Sequence, residues 1–228
     1  MSKAFLKLFA RSQRWPRKRL IRTHQTASFF TPPTKTYTPR HTGVLTTAAQ
    51  RLKSLGENFV SSDENVETFL CAAGCFWGVE LAFQRVPGVL STSVGYCGGR
   101  IDNPTYEEVC SGRSGHTEAC KVDFDNAIVK YEELLDILWD IHDPTTLNRQ
   151  GNDIGTQYRS GIYYYNDEQL ETILQSVKNE QRRYSDKIVT EVLPAPKYYL
   201  AEAYHQKYLE MGGQCSLKGD TTAIRCYG

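Results

Sequence analysis

The chain has 228 residues with 40% hydrophobic content, enough for one ordinary domain with a sizeable core plus an appendage. Its net charge of +1 averages two unlike segments: residues 1–56 hold 12 Lys and Arg and no acid, and the remainder holds 15 basic and 26 acidic residues, a net of −11. A domain that acidic repels phosphate backbones, so nucleic acid is not an expected partner. Nor does any stretch approach the roughly 18 apolar residues of a membrane span.

At the N-terminus, Lys3, Lys7, Arg11 and Arg14 share one side of a helical wheel and Phe5, Leu8 and Phe9 the other, until Pro16. Arg17, Lys18, Arg19 and Arg22 follow, then a Thr/Pro-rich stretch without a core-forming pattern. Basic, hydroxylated and acid-free is the composition of an organelle transit peptide; the alternative is a basic tail that binds acidic surfaces. Because the basic amphipathic segment starts at the terminus, the mitochondrion is expected ahead of the plastid or cytoplasm. Residues 1–62 are therefore expected to be transit peptide and disordered linker, with cleavage before about Asp63.

From residue 63 to 228 the pattern is that of one domain. Val66–Leu70 reads as a strand broken at Gly74. Phe76, Val79, Phe83 and Val86 repeat at helical spacing, so a helix is expected from near Cys75 to before Pro87-Gly88. Val89–Tyr96 reads as a strand. Thr105-x-x-Glu108 is a capping box opening a short helix that ends at Gly112. His116–Phe124 alternates as a strand, and Tyr131, Leu134, Leu135, Leu138, Trp139 and His142 form a helical stripe stopped by Pro144. Gln157–Tyr165 is β-prone. Asn166 caps a helix with expected core positions Leu170, Ile173, Leu174 and Val177. Ile188–Leu193 reads as a strand and Ala201–Met211 as a last helix, followed by an aperiodic tail over 214–228. Intermixed strands and helices make this an α+β domain with helices against a mixed sheet.

The seven cysteines, Cys71, Cys75, Cys97, Cys110, Cys120, Cys215 and Cys226, are odd in number and contain no C-x-x-C pair. That argues against a secreted disulfide framework and against a structural zinc site, leaving buried thiols with one or two reactive ones. Cys75 stands at a strand–Gly–helix junction, where a helix N-terminus favours a thiolate. A buried structural thiol is the competing reading, weakened by Phe76-Trp77, which suit a pocket wall better than a core. Glu118 lies on the strand face of Cys120, Val122 and Phe124. Desolvation there should raise its pKa and suit it to general acid work, whereas a solvent-reaching strand end is equally compatible. Asp153 in Gly151–Gly155 reads locally as a turn residue, Tyr106 and Tyr158 as packing tyrosines, and His142 and His205 as core histidines.

Gly74-Cys75-Phe76-Trp77-Gly78-Val79-Glu80 resembles the GCFWGxE signature of the methionine sulfoxide reductase A family. Further blocks resemble it in order: Asn103-Pro104-Thr105-Tyr106, Gly115-His116-Thr117-Glu118, Asn148 to Asp153, Gly155-Thr156-Gln157-Tyr158 and Tyr204-His205-Gln206. The ending Ile224-Arg225-Cys226-Tyr227-Gly228 is similar to the plant and algal branch. The resemblance implies a two-layer α+β sandwich with a mixed sheet packed by helices and no metal or organic cofactor. It implies Cys75 as nucleophile, Glu118 as proton donor, and Tyr106, Tyr158 and Asp153 around the sulfoxide oxygen, with Phe76 and Trp77 holding the methyl group. The implied activity is reduction of the S epimer of methionine sulfoxide, protein-bound and free, through a sulfenic acid and an intramolecular disulfide recycled by thioredoxin, by a monomer that repairs oxidative damage. Cys226 matches the family tail and is the expected resolving thiol. The tail pattern expects a further Cys where this chain has Asp220, and Cys215 is expected to cover for it. A thiol peroxidase and a non-catalytic binder of oxidised methionine are the rivals; Phe76-Trp77 opposes the first and the pairing of Cys75 with Glu118 the second.

Overall fold

The computed structural model describes residues 35–37, 42–55 and 62–226. Its elements in chain order are β1 (Lys35–Tyr37), α1 (Thr42–Leu55), β2 (Val66–Ala73), α2 (Phe76–Gln84), β3 (Val89–Cys97), α3 (Tyr106–Cys110), β4 (Thr117–Asp125) and α4 (Tyr131–Ile141). Then come β5 (Arg149–Gln150), β6 (Asp153–Ile154), β7 (Ser160–Tyr164), α5 (Asp167–Glu180), β8 (Glu191–Pro194), β9 (Tyr198–Leu200), α6 (Tyr208–Met211) and β10 (Ile224–Cys226). Six strands form a mixed sheet in the order β8-β7-β2-β4-β3-β9, in which only β7–β8 is parallel. This is the expected α+β architecture.

The alternation read along β4 puts Cys120, Val122 and Phe124 on the face that meets the helices. There they join Phe69 and Cys71 of β2, Val79 and Phe83 of α2, Leu134, Leu135 and Leu138 of α4, and Ile173 of α5 in one core. The expected capping box forms: Glu108 N–H donates to Thr105 Oγ1 at 3.3 Å and Thr105 N–H to Glu108 Oε2 at 2.9 Å. Asn166 caps α5 through a 2.8 Å bond from Gln169 N–H.

The structure departs from expectation in four places. Part of the expected linker is a helix: Leu45 and Ala48 of α1 are buried in the main core, and Arg51 reaches the Ile128 carbonyl and the Glu133 carboxylate. Threonine and alanine gave its sequence little amphipathic contrast, so only packing reveals it. The remainder of the transit peptide and linker, apart from β1, lies outside the described residues. On α5, Leu174 is exposed while Ile173 is fully buried, because the helix presents a narrower stripe to α4.

The segment 201–211 is not one helix. Lys207 takes a left-handed conformation at φ 53°, with its N–H donating to Glu80 Oε2 at 2.7 Å. The Gln206 carboxamide bonds both the N–H and the carbonyl of Val94, each at 2.9 Å. Tertiary partners thus satisfy groups that a helix would have satisfied internally. Finally, the tail is not featureless: β10 pairs antiparallel with β1, and Ile224 is buried with Leu81, Ala82 and Leu209.

Candidate active site

β2 ends at Gly74, whose φ of 88° turns the chain abruptly into α2; a side chain there would also collide with Gln150 at 2.7 Å. The turn leaves Cys75 as the N-cap of α2, partly exposed, at the end where backbone N–H groups and the helix dipole favour a thiolate. The next N–H, that of Phe76, donates to Glu118 Oε2 at 3.0 Å. The first peptide of α2 therefore joins the expected nucleophile to the expected acid, which is 2% exposed on β4.

The two tyrosines close the group. Tyr158 sits in a single 3-10 turn after β6, and its phenol is pushed above its ordinary range by burial, then by Glu118, with smaller contributions from Cys110, Cys75 and Asp153. Tyr106 opens α3; burial and a hydrogen bond with the Cys110 thiol push it up, followed by Glu118 and Tyr158. Both phenols thus remain protonated donors across the physiological range, facing the same carboxylate. Asp153 leads β6 in a two-strand hairpin, paired with Gln150 across the Gly151 turn. It lines a cleft of roughly 510 Å³ together with Cys75, Arg149, Gln150, Ile141 and Ile224.

On the other side of Cys75, Phe76 and Trp77 form an aromatic wall with Tyr106, Tyr204 and Tyr208. Trp77 stacks on Tyr208 with ring centroids 3.9 Å apart. At the wall's centre is His205, within 5.1 Å of Phe76 and 4.5 Å of Tyr106 between ring centroids. The indole N–H of Trp77 donates to His205 Nδ1 at 3.1 Å, which places the imidazole proton on Nε2, and burial lowers its pKa. His205 is buried, as expected of a core histidine, yet the core it belongs to is the pocket wall. Glu202 braces the same wall, accepting from Tyr96 Oη at 2.7 Å and from Tyr106 N–H at 2.9 Å. Glu202 was not singled out from sequence, and His205 was read only as a core histidine. The Tyr204-His205-Gln206 block carried a signal, but its geometry depends on a chain crossing more than a hundred residues away.

The remaining thiols divide cleanly. Cys71, Cys97 and Cys120 are fully buried in strands, and burial pushes the Cys97 thiol up to about 12. Cys110 is half-buried and bonds the Tyr106 hydroxyl at the pocket. Cys215 is half-buried in the docked tail, and Cys226 closes β10, which begins at the cleft-lining Ile224. Among the described residues no group of three or more His, Cys, Asp and Glu is placed to hold a metal, and no helix is long and apolar enough to cross a membrane.

A family model described as "Peptide methionine sulfoxide reductase" matches residues 67–222. A peptide methionine sulfoxide reductase of Brassica napus is 57% identical over 161 residues, which cover 68% of this chain and 63% of that protein. For Peptide methionine sulfoxide reductase A4, chloroplastic, of Arabidopsis thaliana the identity is 56%, covering 68% and 62%. The chain thus spans less than two thirds of the length of these relatives. Peptide methionine sulfoxide reductase A2-1 of Oryza sativa subsp. japonica is 53% identical over 168 residues, covering 74% of this chain and 90% of that one. Among solved structures, Mxr1 from Saccharomyces cerevisiae in reduced form superposes with a TM-score of 0.64 at 31% identity, covering 74% of this chain and 97% of that one. Methionine sulfoxide reductase A of Corynebacterium diphtheriae gives 0.60 at 38%, covering 68% and 80%. With Cys75, Glu118 and the aromatic wall assembled around the start of α2, and with these matches spanning nearly all of the packed domain, the chain belongs to the peptide methionine sulfoxide reductase family.

Proposed function

We propose that this protein reduces the S epimer of methionine sulfoxide, in oxidised proteins and as the free amino acid, to methionine. The observation that carries the reading is the bond from Phe76 N–H to Glu118, which ties an acid to the helix turn bearing Cys75. The Cys75 thiolate attacks the sulfoxide sulfur while Glu118 delivers a proton to its oxygen, and Tyr106, Tyr158 and Asp153 hold that oxygen in place. Phe76 and Trp77 receive the methyl group. The substrate's S–O bond breaks as the hydroxyl passes to the Cys75 sulfur, the transient bond between Cys75 and the substrate sulfur breaks, methionine leaves reduced by two electrons, and Cys75 becomes a sulfenic acid, oxidised by two.

Cys226 then condenses with the sulfenic acid, forming a disulfide and releasing water. The course of the tail supports this: Thr222 is bonded to Arg85 beyond the end of α2, and Ile224 packs with Leu81 and Ala82 and lines the cleft that holds Cys75. The strand thus runs back along α2 toward the nucleophile. Cys215 takes the disulfide over with Cys226, and a thioredoxin-type dithiol reduces that pair. The protein acts as a monomer without a bound cofactor.

The acid-free N-terminal segment directs the chain to mitochondria. Because Leu45 and Ala48 belong to the core, the segment removed ends before Thr42. A reporter carrying residues 1–41 should enter mitochondria; entry into plastids would correct the destination, in keeping with the chloroplastic relatives of Arabidopsis thaliana and Oryza sativa.

The activity test is direct. A sulfoxide-containing peptide incubated with the protein and dithiothreitol should lose one oxygen by mass, on the S epimer alone. Faster turnover of hydrogen peroxide than of the peptide would assign the site to a thiol peroxidase instead.

A further inference from the structure

The tail is tied down at unusual points. Gly213, at φ 89°, ends α6, and the Gln214 N–H closes back onto the Leu209 carbonyl at 2.9 Å. From that fixed backbone the Gln214 carboxamide reaches Arg225 and satisfies both of its backbone groups: Nε2 donates to Arg225 O at 2.6 Å, and Oε1 accepts from Arg225 N–H at 2.9 Å. This is the pattern a neighbouring strand would supply, and the one Gln206 supplies to Val94. It lays residue 214, the neighbour of Cys215, beside residue 225, the neighbour of Cys226. Cys215 is held from two further directions. Its carbonyl accepts from Arg85 Nε at 2.8 Å, and its thiol is hydrogen-bonded to the Asp220 carboxylate, which that bond and those from Thr222 hold down at about 2. Cys215 therefore sits in contact with the position at which the tail pattern expects a cysteine.

The geometry points to Gln214 as the positioning residue that holds Cys215 alongside Cys226 for the second thiol–disulfide exchange. This rests on the relay proposed above and adds the group that sets its geometry. In that exchange Cys215 loses its proton to solvent and its sulfur attacks Sγ of Cys226 in the Cys75–Cys226 disulfide. The Cys215–Cys226 bond forms, the Cys75–Cys226 bond breaks, and Cys75 leaves as a thiolate. No net oxidation occurs, and the oxidising equivalent moves to a pair that a thioredoxin-type dithiol can reach. Gln214 takes no part in the first step, its bonds being directed to the Leu209 carbonyl and to both backbone groups of Arg225.

The test follows the full chain after one equivalent of methionine sulfoxide, with alkylation of the remaining thiols and mapping of disulfides against time. Gln214→Ala should form the Cys75–Cys226 bond at the parent's rate but accumulate it, with the Cys215–Cys226 bond appearing about tenfold more slowly. Thioredoxin-driven turnover should fall in step, while dithiothreitol-driven turnover stays within twofold. Gln214→Glu, which keeps the acceptor for Arg225 N–H and loses the donor, should fall between the two and serves if the alanine variant folds poorly. If Gln214→Ala transfers the disulfide at the parent's rate while Cys215→Ser stalls it, the assignment of Gln214 is overturned and the relay stands. If Cys215→Ser leaves thioredoxin-driven turnover intact, the relay itself is overturned and Gln214 with it. A Gln214→Ala defect in the first step as large as in the second would reduce Gln214 to a structural residue.

Discussion

The two ends of α2 do opposite work. At its N-terminal end, free N–H groups face Cys75 and Glu118, so the positive end of the helix meets a thiol and a carboxylate. At its C-terminal end the partners are cations: Lys218 Nζ donates to Gln84 O at 2.7 Å and to Val89 O at 2.8 Å, and buried Arg85 bonds the tail at Cys215 and Thr222. Nine residues span only about 13 Å. One short helix thus meets the proposed nucleophile at one end and, at the other, anchors the tail that carries the thiols proposed to restore it. The first end joins the Gly74–Phe76 turn to Glu118 on β4, 42 residues after Phe76; the second joins α2 to a segment some 130 residues downstream. Chemistry there is expected to be separable from recycling, and each variant below is a way to break that separation.

The largest effect should come from Cys75→Ser, which is expected to abolish reduction of the S epimer with either reductant, as measured by loss of oxygen from a sulfoxide peptide. Measurable turnover by that variant, or equal turnover of the R epimer by the parent, would remove the nucleophile from this end of the helix. Next, Glu118→Gln should slow the first turnover by roughly 10²-fold, the usual worth of a general acid. Disulfide exchange in the tail should be unchanged. A first turnover within a few-fold of the parent's would mean that another group protonates the oxygen.

Acid should loosen both ends together, because they share the core. His142, at the end of α4, is buried between Leu138 O and Ser160 Oγ, each 2.7 Å from a ring nitrogen, and burial lowers its pKa to about 4. Unfolded, the same side chain titrates near 6.5. Between those values the unfolded state binds the extra proton, so stability is full above about pH 6.5 and falls as the pH drops toward 4. The loss approaches about 3 kcal/mol, and below pH 4 this group adds nothing further. Denaturant melts across this range should show it, and His142→Gln should flatten the slope. A tail that detaches well before the core unfolds would show that the two ends are not coupled through it.

The smallest effect is expected from Arg85→Met, which keeps the volume and removes the bonds to the tail. Thioredoxin-driven turnover should drop by about tenfold, of the order expected from losing one or two hydrogen bonds to a charged group. Amides in 215–226 should exchange faster, with the first turnover kept within threefold. An equal loss in the first turnover would mean that the tail anchor also supports the chemistry.

Much of this arrangement was legible in the residues themselves. Gly74-Cys75-Phe76-Trp77 announced a turn, a cap and an apolar wall within four positions, and the alternation through Glu118, Cys120, Val122 and Phe124 placed a carboxylate on the core side of a strand. His205 was legible only as a buried histidine, since nothing local says that an indole 128 positions upstream will bond to it. Helix α1 escaped because its sequence lacks contrast, and Leu45 and Ala48 become core residues only once α4 and the sheet are beside them.

By itself the sequence determined the elements with strong period or local chemistry: β2, β3, β4, α2 and α4, the Thr105 capping box, and the junction that makes Cys75 a cap. These depend on interactions within a few residues, which a one-dimensional pattern records. Only the tertiary structure decided that segment 201–211 breaks at Lys207, that Gln206 and Gln214 each complete another segment's backbone bonding, and that the tail lies along α2 with Ile224 lining the cleft of Cys75. In those places backbone groups are satisfied by partners far away in the chain, and such bonds leave no periodicity behind. The fold's framework is therefore written in local pattern, while the proposed recycling half of the site is set by long-range hydrogen bonds.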